Sequence, residues 1–136
     1  MDGAELCVGA VVVAADHLLL VRRGHAPDRG IWSIPGGRVA PGETPAEAVV
    51  RELAEETGIV GVCGQLLGRV HRGSGRRRFV ILDFSVEVSG RPVPVAGDDA
   101  DQAMWVPLDR IQSLPLVDGL AEFLRDHGVA AAPRPT

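Results

Sequence analysis

Residues 37–59, GRVAPGETPAEAVVRELAEETGI, contain the strongest helix signal in the chain. Thr44 suits the N-cap, Pro45 suits the first helical position, and Glu47 completes a capping box with Thr44. Gly58 stands where a helix commonly ends in a left-handed residue. We therefore predict a capped helix with one apolar stripe packed on a sheet, formed by Ala46, Val49, Val50 and Leu53.

A second face of this predicted helix is acidic. Glu52, Glu55 and Glu56 stand at i, i+3 and i+4, so their side chains project to one side. Like charges at this spacing repel by about 3 kcal/mol at an effective dielectric near 20, and a divalent cation would reverse that cost. The alternative is a solvated acidic face on which Arg51 pairs with Glu55.

The whole segment resembles the Nudix box, the signature of the Nudix hydrolase family. It fits the pattern at every defined position, namely Gly37, Glu43, Arg51, Glu52, Glu55, Glu56, Gly58 and Ile59 with Leu53 between them. Residues 32–37, WSIPGG, look like the usual lead-in to the box. Strand-like residues 79–86, FVILDFSV, and residues 96–111, AGDDADQAMWVPLDRI, extend the similarity over most of the chain.

The resemblance implies an α+β fold, an α/β/α sandwich with a mixed β-sheet. It also implies Mg²⁺- or Mn²⁺-dependent hydrolysis of a nucleoside diphosphate linked to another moiety. Residue by residue, Glu52 and Glu56 become the principal metal ligands, and the carbonyl of Gly37 completes the coordination. Glu55 becomes a further ligand or the general base. Arg51 and Glu43 become an ion pair that orients the helix.

A late acidic loop offers one further candidate base. Members of the family often supply an acid here, and Asp98, Asp99 and Asp101 are available, with Asp99 favoured by its spacing to Trp105. The acid is often Glu in the family, and Asp is one methylene shorter. If Asp99 does not reach, Glu55 is the better base, and the three aspartates are then ordinary turn residues.

Basic residues outside the box supply candidate substrate contacts. Arg22 and Arg23 end a predicted strand that lies near the substrate phosphates in the family, although a solvated strand end is equally compatible. Arg78 belongs to a basic hairpin, which either is solvated or steers an anionic substrate. Nucleic acid is not expected as a partner, because Phe79 is the one aromatic residue near these cations in the sequence.

The rest of the chain predicts more strands than helices. Leucine and valine runs indicate a hairpin over 6–23 with its turn at Asp16 and His17. Later elements are predicted as strands over 60–70, 78–88 and 102–106, a helical turn over 107–113 and a final helix over 117–127. We expect one domain over 1–129 and a flexible tail over 130–136.

Bulk properties limit the compartment and the partners. The net charge of −4 does not indicate nucleic acid or an anionic membrane as a binding partner. The acidic start lacks a signal peptide's basic region, and the longest apolar stretch, roughly ten residues, is too short to span a bilayer. Cys7 and Cys63 lack metal-site spacing and are expected to be buried, reduced thiols. A cytoplasmic location follows as the expectation.

Three functions remain open at this point. The first is conversion of ADP-ribose to AMP and ribose 5-phosphate, favoured by the resemblance of the late segment to small bacterial members of that branch. The second is a (d)NTP pyrophosphohydrolase that removes damaged nucleotides and releases pyrophosphate. The third is a non-catalytic nucleotide-sensing module, although such modules usually lose box carboxylates. The family also implies a homodimer as one oligomeric state.

Overall fold

The computed structural model describes residues 4–26, 28–97 and 99–129. The predicted tail over 130–136 lies outside the described residues, as does Asp98. In chain order the elements are β1 (Glu5–Val11), β2 (Val13–Ala14), β3 (His17–Arg23), β4 (Trp32–Ser33), β5 (Gly36–Arg38), α1 (Pro45–Thr57), β6 (Val62–Ser74), β7 (Arg77–Glu87), β8 (Ala100–Pro107), a 3-10 helix (Leu108–Ser113) and α2 (Leu120–Asp126).

The strands form two four-stranded sheets. The first has the order β5-β1-β7-β6, and its central pair, β1 and β7, is parallel while its other pairs are antiparallel. The second has β3 between β4 and β8, with β2 also pairing with β3, and it is antiparallel throughout. The predicted mixed sheet is thus confirmed, but the strands are divided between it and a second, antiparallel sheet.

The helices cover opposite faces of the strands. One core cluster joins Val49 and Leu53 of α1 to Leu19 of β3. The other joins Leu124 of α2 and Ile111 of the 3-10 helix to Leu18 and Leu20 of β3. Since successive strand residues point to opposite faces, this alternation places a helical layer on each side. The structure therefore confirms the predicted α+β sandwich.

The N-terminal apolar run is two strands rather than the single strand we predicted. β1 ends at Val11 in the mixed sheet, and β2 resumes at Val13 in the antiparallel sheet. The turn falls at Ala15 and Asp16, one position earlier than predicted, with φ of 49° and 60°. Two left-handed residues match the twist of a two-residue hairpin, which is why β3 already begins at His17.

Helix α1 closely follows its sequence signals. The Thr44 hydroxyl accepts from the Glu47 N–H at 3.1 Å, the Glu47 carboxylate accepts from the Thr44 N–H at 2.9 Å, and Gly58 ends the helix with φ of 71°. Ala46, however, is exposed, and Ala48 is buried instead. Helical spacing does not encode where the covering sheet ends, so the stripe begins later than predicted.

Other differences concern the lengths of elements. Residues 36–38, for which no strand was predicted, form β5 on the edge of the mixed sheet. The basic segment between the predicted strands over 60–70 and 78–88 mostly extends β6 and β7, and α2 is shorter than predicted at each end. Cys7 and Cys63 are free thiols but partly exposed rather than buried. Within the described ranges, no helix is long and apolar enough to cross a membrane.

Candidate active site

The acidic face of α1 borders a cavity of about 860 Å³. Glu52, Glu55 and Glu56 all line it, together with Gly37 of β5. Strands β1, β3 and β7 supply further walls. This volume lies within the usual range of small-molecule sites. The structure thus brings together four of the residues that the sequence predicted as metal ligands or base.

Arg51 connects the acidic residues of this region through its hydrogen bonds. Its guanidinium donates two hydrogen bonds to the Glu43 carboxylate, at 2.7 and 2.9 Å. It also donates to Glu52 at 2.9 Å, to Glu55 at 3.0 Å and to the Arg38 carbonyl at 3.0 Å. The expected Arg51–Glu43 ion pair is therefore present, and it is bidentate. Such a fork fixes orientation as well as charge, which a point-charge lysine would not do.

The hydrogen bonds hold both members of the ion pair in their charged forms. The Arg51 guanidinium, helped by the Ala40 N–H, lowers the pKa of Glu43 to about 2. In return, Glu43 above all raises the pKa of Arg51. Because the folded-state pKa of Glu43 is depressed, the pair's contribution to stability is present above its ordinary pKa and is lost as the pH falls towards 2.

Glu52 is held against the strand that carries Gly37. Its side chain is 15% exposed, and burial raises its pKa while Arg51 opposes that shift. A Cβ atom added at Gly37 would lie 2.5 Å from the Glu52 carboxyl carbon. Any side chain at position 37 would therefore displace Glu52, which explains why glycine is needed beside this carboxylate.

Glu56 joins the end of α1 to the same strand. Its Oε1 accepts a hydrogen bond from the Gly36 N–H at 2.8 Å. Gly36 and Gly37 pair with Gly9 and Val8 of β1 in the mixed sheet. The carboxylate helix is consequently tied to the sheet through backbone groups as well as through its apolar stripe.

The donor set fits a hard divalent cation. Carboxylate and carbonyl oxygens are the ligands that Mg²⁺ and Mn²⁺ prefer, and the missing side chain at Gly37 leaves room for Glu52 beside its backbone. In this arrangement Arg51 bonds to both Glu52 and Glu55. Among the residues that the structure describes, no three His, Cys, Asp or Glu side chains are already grouped as a metal site.

The late loop brings Asp99 to the cavity. The Asp99 carbonyl accepts from the Gly24 N–H at 3.0 Å, and its carboxylate lies 3.3 Å from Nε2 of His25. Asp101 instead binds the Arg22 guanidinium, at 2.7 and 3.1 Å. Of these two aspartates, Asp99 is therefore the one that lines the cavity, although its side chain is 79% exposed.

The predicted substrate-binding arginines divide into two groups. Arg22 and Arg23 line the cavity, and the Arg22 guanidinium also lies 5.7 Å from the ring centroid of Trp32. Trp32 is buried, in agreement with a packing role. Arg78 stands next to the β6–β7 turn, pairs with Gly73, and is not among the residues that line the cavity.

Sequence reasoning missed Asp83, which lines the cavity together with Arg72 of the basic hairpin. Asp83 is 5% exposed in the middle of β7. The available signal was a single acidic residue inside the apolar run FVILDFSV. Burial raises the pKa of Asp83 to about 6, while Arg72 and His127 oppose that shift.

Comparisons with known proteins agree with this geometry. The sequence profile described as "NUDIX domain" matches residues 4–127. An ADP-ribose pyrophosphatase of Methanocaldococcus jannaschii is 38% identical over 112 residues, covering 80% of this chain and 65% of that protein. An 8-oxo-dGDP phosphatase of Mus musculus is 35% identical over 92 residues, covering 68% and 28%. The chain thus spans less than two thirds of the length of either relative.

The fold has close solved counterparts. The crystal structure of a MutT NUDIX hydrolase from Burkholderia pseudomallei superposes with a TM-score of 0.79 at 27% identity, covering 90% of this chain and 96% of that one. The profile match over residues 4–127 agrees with the helix that carries the glutamates and Arg51. This chain belongs to the Nudix family.

Proposed function

We propose that this chain hydrolyses a phosphoanhydride bond in a nucleoside diphosphate-linked substrate, converting ADP-ribose to AMP and ribose 5-phosphate. The observation that carries the proposal is the convergence of Glu52, Glu55 and Glu56 on one cavity wall. Clustered carboxylates of this kind are suited to divalent ions that neutralise a pyrophosphate. The relative from M. jannaschii supports ADP-ribose as the substrate.

In this proposal, Glu52, Glu56 and the Gly37 carbonyl hold Mg²⁺ or Mn²⁺. The bound ion supplies charge neutralisation at the phosphate oxygens and lowers the pKa of a coordinated water. Arg51 fixes the helix against Glu43 and limits how far Glu52 and Glu55 can move. Arg22 and Arg23 contribute positive charge at the strand end that borders the cavity.

The proton of the attacking water passes to a carboxylate of this chain. The oxygen of the attacking water forms a new bond to phosphorus while the anhydride P–O bond breaks, and the products are two phosphate monoesters. Glu55 is on the helix of the proposed ligands, and Asp99 is on the late loop. We assign the base to Glu55, because Asp99 is 79% exposed and lies beside His25.

A second candidate function is supported by another relative. The resemblance to an 8-oxo-dGDP phosphatase favours hydrolysis of damaged nucleotides, as in the pool-sanitising pyrophosphohydrolases. That chemistry would use the same carboxylates and a different base pocket. The retention of all three box glutamates argues against a module that senses nucleotides without cleaving them.

A substrate panel with product identification separates these functions. ADP-ribose, 8-oxo-dGDP and the normal and damaged dNTPs are incubated with Mg²⁺, with Mn²⁺ or with a chelator. AMP without pyrophosphate supports the first function, and pyrophosphate from a triphosphate or phosphate from 8-oxo-dGDP supports the second. Nucleotide binding without any turnover identifies a sensing module. A homodimer and a cytoplasmic location, both expected from the sequence, stay predictions.

A further inference from the structure

Asp83 carries a buried acceptor that the proposed chemistry does not use. Its side chain lines the cavity and is 5% exposed. Among the described residues, no group is placed to donate a hydrogen bond to its Oδ1 atom. Buried polar atoms are nearly always hydrogen-bonded, because leaving one unpaired is unfavourable. Because the Asp83 side chain lines the cavity, a ligand bound there can supply to its carboxylate a hydrogen-bond donor that the described residues do not supply.

The two basic side chains that influence Asp83 make their hydrogen bonds elsewhere. The Arg72 guanidinium donates to the Asp118 carbonyl, and the His127 ring bonds through Nδ1 to the Phe123 carbonyl at 2.9 Å. Burial is the largest influence on the pKa of Asp83, and Arg72 is the larger of the two that oppose it. Asp83 is thus not half of an internal ion pair.

Glycines flank Asp83 on both neighbouring strands. Gly9 of β1 and Gly68 of β6 are its partners in the sheet. A side chain at Gly9 would collide with Oδ1 of Asp83, so the carboxylate leans over that strand. A Cβ atom at Gly68 would lie 2.8 Å from the Phe123 ring, which covers the other side.

The surroundings of this carboxylate suit a flat heteroaromatic ring. Phe123 stacks on His127 with ring centroids 4.1 Å apart. Phe123 also lines the cavity with Phe79 and Ile81. Aromatic and aliphatic walls around one polar acceptor are the usual composition of a nucleobase site, whereas a sugar needs several polar partners.

The position along the sheet also fits the dimensions of a nucleotide. Asp83 pairs with Gly9, Gly9 pairs with Gly36, and the Gly36 N–H binds Glu56. Two interstrand spacings, roughly 10 Å in total, therefore separate β7, which carries Asp83, from β5, whose backbone binds Glu56. A diphosphate at the carboxylate helix and a base near Asp83 occupy the two ends of one cavity.

We propose that the carboxylate of Asp83 accepts a hydrogen bond from the exocyclic amino group of the substrate's base and so determines base specificity. This inference rests on the proposed function, because it assumes that the diphosphate lies at the glutamate face of α1. Asp83 selects the substrate and takes no part in the proton transfer.

Calorimetric binding of non-hydrolysable nucleotides tests this role. The probes are α,β-methylene-ADP and the same compound with unsubstituted purine, and α,β-methylene-GDP and its hypoxanthine counterpart, all with Mg²⁺. Within each pair only the amino group differs. The wild type should bind the amino-bearing member of one pair about tenfold more tightly, the scale of a hydrogen bond to a charged group.

Three variants complete the test. Asp83→Leu should bind both members of that pair equally, Asp83→Asn should discriminate less than the wild type, and the exposed control Asp126→Leu should discriminate like the wild type. If Asp83→Leu does not fold, loss of discrimination in Asp83→Asn decides. No discrimination by the wild type, or full discrimination in the Asp83 variants, would overturn the assignment.

Turnover separates this inference from the proposed function. If ADP-ribose is hydrolysed while the Asp83 variants still discriminate, the base assignment alone fails. If discrimination depends on Asp83 while no nucleoside diphosphate derivative is hydrolysed, the proposed function alone fails.

Discussion

The carboxylates at the two ends of the cavity differ in their hydrogen-bonding partners. At the helix end, Glu43, Glu52 and Glu55 all share the guanidinium of Arg51. At the sheet end, Asp83 is more deeply buried, and no described group donates to its Oδ1 atom. The carboxylates of the first end already have a counter-charge within the protein, whereas the Oδ1 atom at the second end has no donor among the described residues.

The difference shows how stability and recognition are divided in this fold. The Arg51 network fixes the geometry of helix α1 and gives its carboxylates a counter-charge. Burial of Asp83 without a donor to Oδ1 is unfavourable for folding, and in our proposal it keeps an acceptor available for the ligand. Buried polar groups retained at such a cost are commonly functional.

Removing carboxylates at the helix end should have the largest effect. Glu56→Gln and Glu52→Gln should each lower kcat by about a hundredfold or more, since metal binding and charge neutralisation depend on them. Steady-state kinetics with Mg²⁺ measure this, with Glu122→Gln on α2 as the control. Full activity in either variant would remove it from the metal site.

Neutralising the sheet end should change the pH dependence of stability. The pKa of Asp83, about 6, lies above the ordinary 3.8, so its burial costs little below pH 4 and destabilises the protein as the pH rises through 6. Relative to the wild type, Asp83→Asn should gain roughly 2–3 kcal/mol of unfolding free energy between pH 4 and pH 8. Urea denaturation at both pH values measures it, and a constant difference would show that Asp83 is not buried as a charge.

Replacing Arg51 at the helix end with lysine, which keeps the positive charge, should have a moderate effect. Arg51→Lys should lower kcat by about tenfold, because a lysine cannot make the forked contacts to Glu43 while also reaching Glu52. The KM should change less than kcat if the helix is misoriented but the cavity is intact. Equal activity of the lysine variant would mean that charge alone suffices.

Weakening the helix start should have the smallest effect. Thr44→Ala removes one capping hydrogen bond and should cost about 1 kcal/mol of stability. Thermal unfolding should detect a Tm lowered by a few degrees, while Thr44→Ser, which keeps the hydroxyl, should stay close to the wild type. A large loss of activity in folded Thr44→Ala protein would connect the cap to catalysis.

The same contrast explains what the sequence could predict. The helix end depends on residues within one short segment, so the cap, the glutamate face and the Arg51–Glu43 pair were all foreseen. Asp83 depends on strands β1, β6 and β7 meeting with glycines beside it, and the hydrophobic pattern does not encode that pairing. The division of residues 6–15 between two sheets was missed for the same reason, because local alternation does not say which strand pairs with which.

The parallel pairing of β1 with β7 has a consequence for how the protein is made. Glu5 pairs with Phe79 and Val11 pairs with Ser85, so β1 cannot complete its sheet until the much later strand β7 has been made. Pairings this distant in sequence form slowly and leave apolar edges exposed in the meantime. Helix α1 can form early on its local signals, but the cavity floor is completed only when β7 arrives. A truncated chain ending before β7 would therefore carry an intact Nudix box without one wall of the cavity.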